Sequence, residues 1–290
     1  MELLRSWLFV PGHQQRMIDK ALDLRVDSVV LDLEDGVAAT SRDAARELIR
    51  AATRAKRDGP AVFVRVHDVH HRELANDLSV GFGAGIDGIV LPKVQSADDV
   101  RGFDQLLGAR EVGLGLRLGS LSVVAMIESA RGLVHLAEIA ASSPRLVGLM
   151  FGAEDFALDL GLWAARQPQA SDHLYARSSL AIAAASQGLQ AIDRVCTILG
   201  ATEALSLDAR QARDLGFSGK ALIHPGQIPA VHEAFTPSPD ELQFARRVVA
   251  AFEAAGTNDP GAIAVEGQMV DRPVAERARQ MLAAWSRWNS

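Results

Sequence analysis

Short apolar runs alternate along this chain with longer stretches whose apolar residues recur every three or four positions. Eight runs have the length and composition of strands: Trp7–Val10, Ser28–Leu33, Val62–Val66, Gly88–Leu91, Val123–Ile127, Leu146–Phe151, Gln190–Asp193 and Ala221–Ile223. Most are apolar at consecutive positions, the pattern of a strand buried on both faces of a parallel sheet. The intervening stretches carry a helical period. In Arg42–Lys56, residues Ala45, Leu48, Ile49 and Ala52 fall at i, i+3, i+4 and i+7 and form one stripe, with Ser41 placed to cap the helix. Ala97–Leu107, Gly132–Ala141, Tyr175–Gln187 and Thr202–Asp214 fill later helix positions. Strands and helices in this alternation predict an α/β fold, a (β/α)8 TIM barrel, over residues 1–235. An open doubly wound sheet is the runner-up, but the first strand–helix turn lacks Gly-x-Gly-x-x-Gly.

Residues 236–290 exceed what a barrel needs. A helix near Pro239–Ala255 is followed by the helix-breaking Gly256-Thr257-Asn258-Asp259-Pro260. Next come apolar Ala262-Ile263-Ala264-Val265, then Met269-Val270-Asp271, then a helix from about Pro273 to Trp285. This predicts a C-terminal helical extension serving as a lid or an oligomer arm. The stretch from Asp159 to His173, with Trp163, Pro168 and Ser171, is long for a barrel loop and reads as a substrate-side flap.

Composition narrows the partners. The apolar share is 48%, enough for a sizeable core, and the net charge is 30 − 36 = −6, which argues against nucleic acid. Cys196 is the only cysteine, so no intramolecular disulfide forms, and Met1–Arg5 runs into a strand without a signal-peptide pattern. The expectation is a cytoplasmic protein. No apolar run is long enough for a membrane span.

Candidate chemistry lies where strands stop, the edge on which barrel active sites are built. Glu128 ends the fifth run, and Asp155 follows the sixth after Gly152-Ala153-Glu154. Two carboxylates there suit a hard divalent cation that keeps positions for water and substrate. At the end of the second run, Asp32 and Glu34 share one strand face with Asp35 beside them. They read as acids orienting metal-bound waters, or as a helix cap with ion pairs to Arg42 or Arg46. Arg65, inside the third run, needs an anionic partner. It is a clamp for a substrate carboxylate, or the partner of Asp32 or Glu34. Lys93 follows the fourth run and reads as an electrostatic group rather than a Schiff-base lysine. Lys220 precedes the eighth run, at the wrong end for chemistry. His224-Pro225 follows it, as a ligand contact or a structural hydrogen bond. His67, His70 and His71 near Asp68 read as a solvated surface cluster. Val10-Pro11-Gly12-His13 leads to Arg16 and Lys20, placed for phosphate groups or on a solvated helix face.

These segments together resemble the citrate lyase β-subunit-like group of the HpcH/HpaI aldolase/citrate lyase family. The resemblance rests on Arg5-Ser6-x-Leu8-Phe9-Val10-Pro11-Gly12, Leu31-Asp32-Leu33-Glu34-Asp35, Val64-Arg65-Val66, Leu91-Pro92-Lys93, Ile127-Glu128-Ser129, Gly152-x-x-Asp155, Gly219-Lys220 with Ile223-His224-Pro225-x-Gln227-Ile228, and Met269-Val270-Asp271-x-Pro273. His67 replaces a frequent Asn, Arg42 a frequent Lys, and Gly36 a frequent Ala.

The resemblance implies a barrel using Mg²⁺, or Mn²⁺, to cleave or form a carbon–carbon bond in an acyl-CoA or acyl-carrier thioester of citryl, malyl or citramalyl type, giving acetyl-CoA and a 2-oxo acid. Glu128 and Asp155 then hold the metal, Arg65 grips the substrate, and Asp32, Glu34 and Asp35 surround the metal's waters. Gly152, Ala153 and Glu154 meet the oxo acid through backbone N–H groups. Pro11, Arg16 and Lys20 line the way for CoA. Asp271 exchanges the proton at carbon from a neighbouring subunit, which implies a homo-oligomer, often a trimer or hexamer in relatives. Other readings stay open: an aldolase for free 4-hydroxy-2-keto acids, a lyase subunit for an acyl-carrier protein, and a non-catalytic binder of keto acid or CoA. Thioester hydrolysis after cleavage is a further outcome.

Overall fold

In the computed structural model, residues 3–162, 173–256 and 261–288 are described. The expected flap residues Trp163, Pro168 and Ser171 and the helix-breaking residues 257–260 lie outside them. The chain divides into two compact units, Leu3–His232 and Glu233–Ser290.

In the first unit the strands are Ser6–Pro11 (β1), Ser28–Asp32 (β2), Ala61–Arg65 (β3), Gly88–Leu91 (β4), Ser122–Ile127 (β5), Leu146–Phe151 (β6), Gln190–Asp193 (β7) and Gly219–Leu222 (β8). They close in sequence order into a parallel barrel, β8 pairing with β1. Its helices are Gln15–Leu22 (α1), Arg42–Ala52 (α2), Leu74–Val80 (α3), Ala97–Gly113 (α4), Ala130–Val134 (α5), Leu136–Ala140 (α6), Ala153–Asp159 (α7), Leu174–Ser186 (α8) and Thr202–Asp214 (α9). Then comes Ile228–Phe235 (α10). Alternate strand residues point into the barrel. Trp7, Val30, Phe63, Val90, Val124, Met126, Met150, Ile192 and Ala221 make one buried cluster, with the Trp7 and Phe63 rings 4.8 Å apart. Continuing that period to the C-terminal rim puts Asp32 two residues after Val30, Arg65 two after Phe63, and Glu128 two after Met126.

Several expectations change on folding. Strand β8 begins two residues earlier than its apolar run, so Lys220 lies within the strand rather than before it. Its neighbour Ala221 faces the barrel core, so Lys220 faces the helices. There, fully buried, its Nζ donates to Asp193 at 2.6 Å and Asp208 at 2.7 Å. Ser41 makes no side-chain cap, because a short 3-10 turn, Ala39–Ser41, leaves it at φ −109°, ψ 0° rather than extended. Helix α4 runs six residues beyond the predicted end, started by a reciprocal Ser96–Asp99 cap and held by buried Phe103, Leu107 and Glu111. The expected helix Gly132–Ala141 begins at Ala130 and is split at His135, whose ψ of 14° leaves the helical range. The histidine cluster is not a surface feature as a whole. His67 is buried, its Nδ1 is 2.6 Å from an Asp77 carboxylate oxygen, and its ring stacks on His71 at 4.4 Å. His70 is exposed as expected.

The second unit holds Pro239–Ala254 (α11), the antiparallel hairpin Ile263–Val265 (β9) and Gln268–Val270 (β10), and Arg272–Trp288 (α12). Glu266 and Gly267 make the two-residue turn, both at positive φ (50° and 76°), as a twisted hairpin demands. Ala245, Val248, Phe252, Val265, Val270, Ala275 and Ala278 form its own small core. Among the described residues no helix is long and apolar enough to cross a membrane.

Candidate active site

A cavity of about 360 Å³ opens at the C-terminal rim of the barrel. Its walls include Phe9, Pro11, Asp32, Arg65, Glu128 and Asp155, with Met126, Met150, Val195 and Ile223 as apolar surface. Parallel pairing sets the first pair of charges, since Asp32 and Arg65 are register partners of β2 and β3. Asp32 accepts from Arg65 Nε and Nη2, both at 2.7 Å, and from the backbone N–H groups of Glu34 at 3.0 Å and Gly36 at 2.8 Å. Burial opposes its ionisation, but the charge and hydrogen bonds of Arg65, with those two N–H groups, hold the carboxyl below the usual range. Gly36 permits this turn, because a Cβ there would overlap the Asp32 carboxylate.

Arg65 also pairs with Glu34 at 3.2 Å, and its guanidinium lies 5.1 Å from the centre of the Phe9 ring. The salt-bridge alternative for Arg65 is therefore present in the structure. Its Nε–Nη2 edge is committed to Asp32, and one N–H on each terminal nitrogen remains beyond these pairs for another anion. Lys93, next to the rim, donates through Nζ to Glu34 at 2.6 Å and lies 3.6 Å from Asp35, an ammonium held in its charged form by these acids despite its partial burial.

Glu128 is buried, 4% exposed, and accepts from the backbone N–H of Lys93 at 2.6 Å. Burial pushes its carboxyl up to about 8, and the charges of Glu34 and Asp155 push the same way against the pull of Arg65. Its other oxygen lies against Gly152, where a Cβ would overlap it. Asp155 sits half-buried in the first turn of α7. Formal charges sum to −4, from Asp32, Glu34, Asp35, Glu128, Glu154 and Asp155 against Arg65 and Lys93. A divalent cation beside Glu128 would offset both the burial and the like charges that disfavour its ionised form, so the donor set fits a hard dication. Among the described residues no three His, Cys, Asp or Glu side chains are grouped to hold a metal ion by themselves.

Residues 5–225 match the HpcH/HpaI aldolase/citrate lyase family. The chain belongs to this family. Membership makes it an enzyme of the lyase class. Citrate lyase subunit beta of Leuconostoc mesenteroides subsp. cremoris is 36% identical over 281 residues, 97% of this chain and 92% of that protein. The (3S)-malyl-CoA thioesterase of Cereibacter sphaeroides is 35% identical over 283 residues, 96% of this chain and 93% of that one. Protein CitE of Mycobacterium tuberculosis, solved with magnesium, acetoacetate and coenzyme A, is 36% identical with a TM-score of 0.79, covering 98% of each chain.

Other expected site residues of this family member fall in different places. The Gly152 N–H is not open to a substrate, because it donates to Ile127 O at 3.0 Å in the β5–β6 pairing. Ala153 and Glu154 open α7 and line the cavity, with Glu154 exposed. Arg16 and Lys20 are exposed on α1, and Lys20 occupies its last turn, not its start, so only Arg16 lies near the positive end of the helix dipole. His224 caps the turn Pro225–Gln227, its Nδ1 accepting from Gly226 N–H at 3.0 Å, which is the structural alternative. Asp271, in the second unit, caps α12 by accepting from Val274 N–H at 3.2 Å. Two groups escaped sequence reasoning: the Lys93 backbone N–H, and the apolar walls at Phe9, Met126 and Met150. The walls carry a signal, the period of two that ends at Glu128; the backbone N–H carries none.

Proposed function

We propose that this enzyme is a Mg²⁺-dependent carbon–carbon lyase that cleaves a citryl-, malyl- or citramalyl-CoA-type thioester to acetyl-CoA and a 2-oxo acid. One observation carries the reading: a buried carboxyl that calls for a cation, Glu128, shares one small cavity with the guanidinium of Arg65. A volume of about 360 Å³ suits a small oxo acid rather than a whole CoA thioester, whose carrier would extend outside. The magnesium, acetoacetate and coenzyme A bound by the CitE relative support the same assignment.

Glu128 and Asp155 would hold Mg²⁺, or Mn²⁺. When bound, the ion supplies Lewis-acid stabilisation of the oxygen charge that develops as the bond breaks. Arg65 grips the carboxylate of the departing oxo acid through the N–H groups that Asp32 and Glu34 leave over. Asp32 and the Phe9 ring hold the guanidinium in place, so it is oriented before substrate arrives. The hydroxyl gives up its proton to water and becomes the oxo group as its carbon loses the bond to the carbon next to the thioester. That second carbon keeps the electron pair, and Asp271 of a neighbouring copy, acting as the acid, gives it a proton. A trimer or hexamer would bring this aspartate to the site. Met126, Met150 and Val195 keep the cavity wall apolar and limit water.

The test is turnover of citryl-, malyl- and citramalyl-CoA by the purified chain with Mg²⁺, with mass detection of acetyl-CoA and the oxo acid. Glu128→Gln and Asp155→Asn should each abolish metal-dependent turnover while the fold survives. Activity only on free 4-hydroxy-2-keto acids would replace the proposal with an aldolase. Activity only on an acyl-carrier thioester would make the chain a complex subunit. The malyl-CoA thioesterase relative favours one second reading, hydrolysis of the uncleaved thioester, which free CoA with the intact hydroxy acid, in place of acetyl-CoA and an oxo acid, would reveal.

A further inference from the structure

Among the described residues, Lys93 and Glu266 are the non-glycine residues at positive φ. Glu266 is explained by its hairpin turn. Lys93 is not in a hairpin: it follows β4 and Pro92, with φ at 54°. The left-handed region brings Cβ against the carbonyl, so an unbranched lysine enters it only where surrounding contacts hold it.

The left-handed turn makes two bonds to two different acids. The backbone N–H points at Glu128 Oε1, 2.6 Å away, while the side chain reaches Glu34 with Nζ, also at 2.6 Å. Just past the turn, and outside β4, Val94 N–H donates to Met126 O of β5 at 3.2 Å. One Glu128 oxygen is thereby occupied, and the other lies at Gly152, where there is no side chain. The ammonium, with Arg65, engages Glu34, the acid that would otherwise stand unneutralised beside Glu128.

We propose that the left-handed turn at Lys93 holds Glu128 in its cation-binding orientation, so that Lys93 is a positioning residue acting through its backbone N–H. The ammonium has a separate task, neutralising Glu34. This rests on Glu128 being a metal ligand. It makes the residue type at 93 matter in an unusual order: tolerance of positive φ counts for more than size or charge in fixing Glu128.

Substitutions separate the two tasks. Glycine and asparagine accept positive φ and lack the ammonium. Valine lacks the ammonium and resists positive φ through its β-branch; alanine resists it less. The experiment measures Mn²⁺ binding to the full, metal-stripped chain through the paramagnetic resonance signal of free Mn²⁺, with melting temperature recorded for each variant. Lys93→Gly and Lys93→Asn should match each other. Lys93→Val should bind about tenfold more weakly than Lys93→Gly, the size of effect expected from strain at one residue. If the valine variant does not fold, Lys93→Ala takes its place, with a smaller loss relative to Lys93→Gly at equal melting temperature. Equal affinities in the glycine and the valine or alanine variants would overturn the role of the turn while leaving Glu128 a ligand. Equal Mn²⁺ binding by wild type and Glu128→Gln would instead remove the metal reading, and this inference with it.

Discussion

Replacing Asp32 by alanine tests whether the rim is held by one buried charge pair. Asp32 is 3% exposed and accepts four hydrogen bonds, two of them at 2.7 Å from Arg65. Without it, Arg65 keeps only Glu34 at 3.2 Å, and the N–H groups of Glu34 and Gly36 lose their acceptor. A hydrogen bond to a charged group is worth about 1.5–3 kcal/mol, and breaking one side of a buried pair costs about 3–5 kcal/mol. These bonds act as a unit and do not add, so the expected loss is about 4 kcal/mol. For a unit of this size that lowers the melting temperature by about 8–16 °C. The assay is urea unfolding followed by tryptophan fluorescence, with Trp7 inside the barrel as a reporter. The midpoint should fall with little change in slope.

The pH dependence has a definite sign. Since the folded carboxyl of Asp32 lies below its unfolded value, its contribution is complete above about pH 4 and is lost as pH falls through the folded value. The stability gap between wild type and Asp32→Ala should therefore be flat from neutrality to about pH 4 and narrow below it. A loss under about 1 kcal/mol, or a gap that narrows as pH rises, would refute the buried-pair argument.

Three other outcomes follow from neighbouring contacts. Gly152→Ala puts a Cβ onto the Glu128 carboxylate and 2.7 Å from Glu128 Cβ, so turnover should fall about 100-fold. Steady-state kinetics checks this, and unchanged turnover would mean that Glu128 has room to move. Asp271→Asn keeps the α12 cap, because asparagine caps as well as aspartate, but it cannot exchange a proton. Its melting temperature should hold while turnover drops by about 10²–10⁴, and retained turnover would remove Asp271 from the chemistry. Lys220→Met leaves Asp193 and Asp208 leaning on Arg177 and Arg194 alone, a destabilisation of about 3 kcal/mol by denaturant unfolding. Since Lys220 faces away from the cavity, KM should not change.

The barrel was legible in the chain because buried parallel strands leave an apolar signature that needs no partner to be seen. The same period of two that fills the interior with Val30, Phe63 and Met126 carries Asp32, Arg65 and Glu128 to one rim, so their common face could be read in advance. Which of these charges neutralise one another could not. That Arg65 pairs with Asp32 follows from strand register, which aligns the two residues across β2 and β3. His67 looked solvated because its neighbours in sequence are polar, and it is buried because Asp77 and His71 close over it.

By itself, then, the order of residues determined the alternation of strands and helices, the acids at strand ends, and a tail beyond the barrel, since all three depend on local periodicity. Only the tertiary structure decided the partners of Asp32, the outward burial of Lys220, and the left-handed turn by which Lys93 reaches Glu128. Barrel closure joins residues far apart in sequence, and no residue type at 93 announces a backbone angle that its surroundings impose.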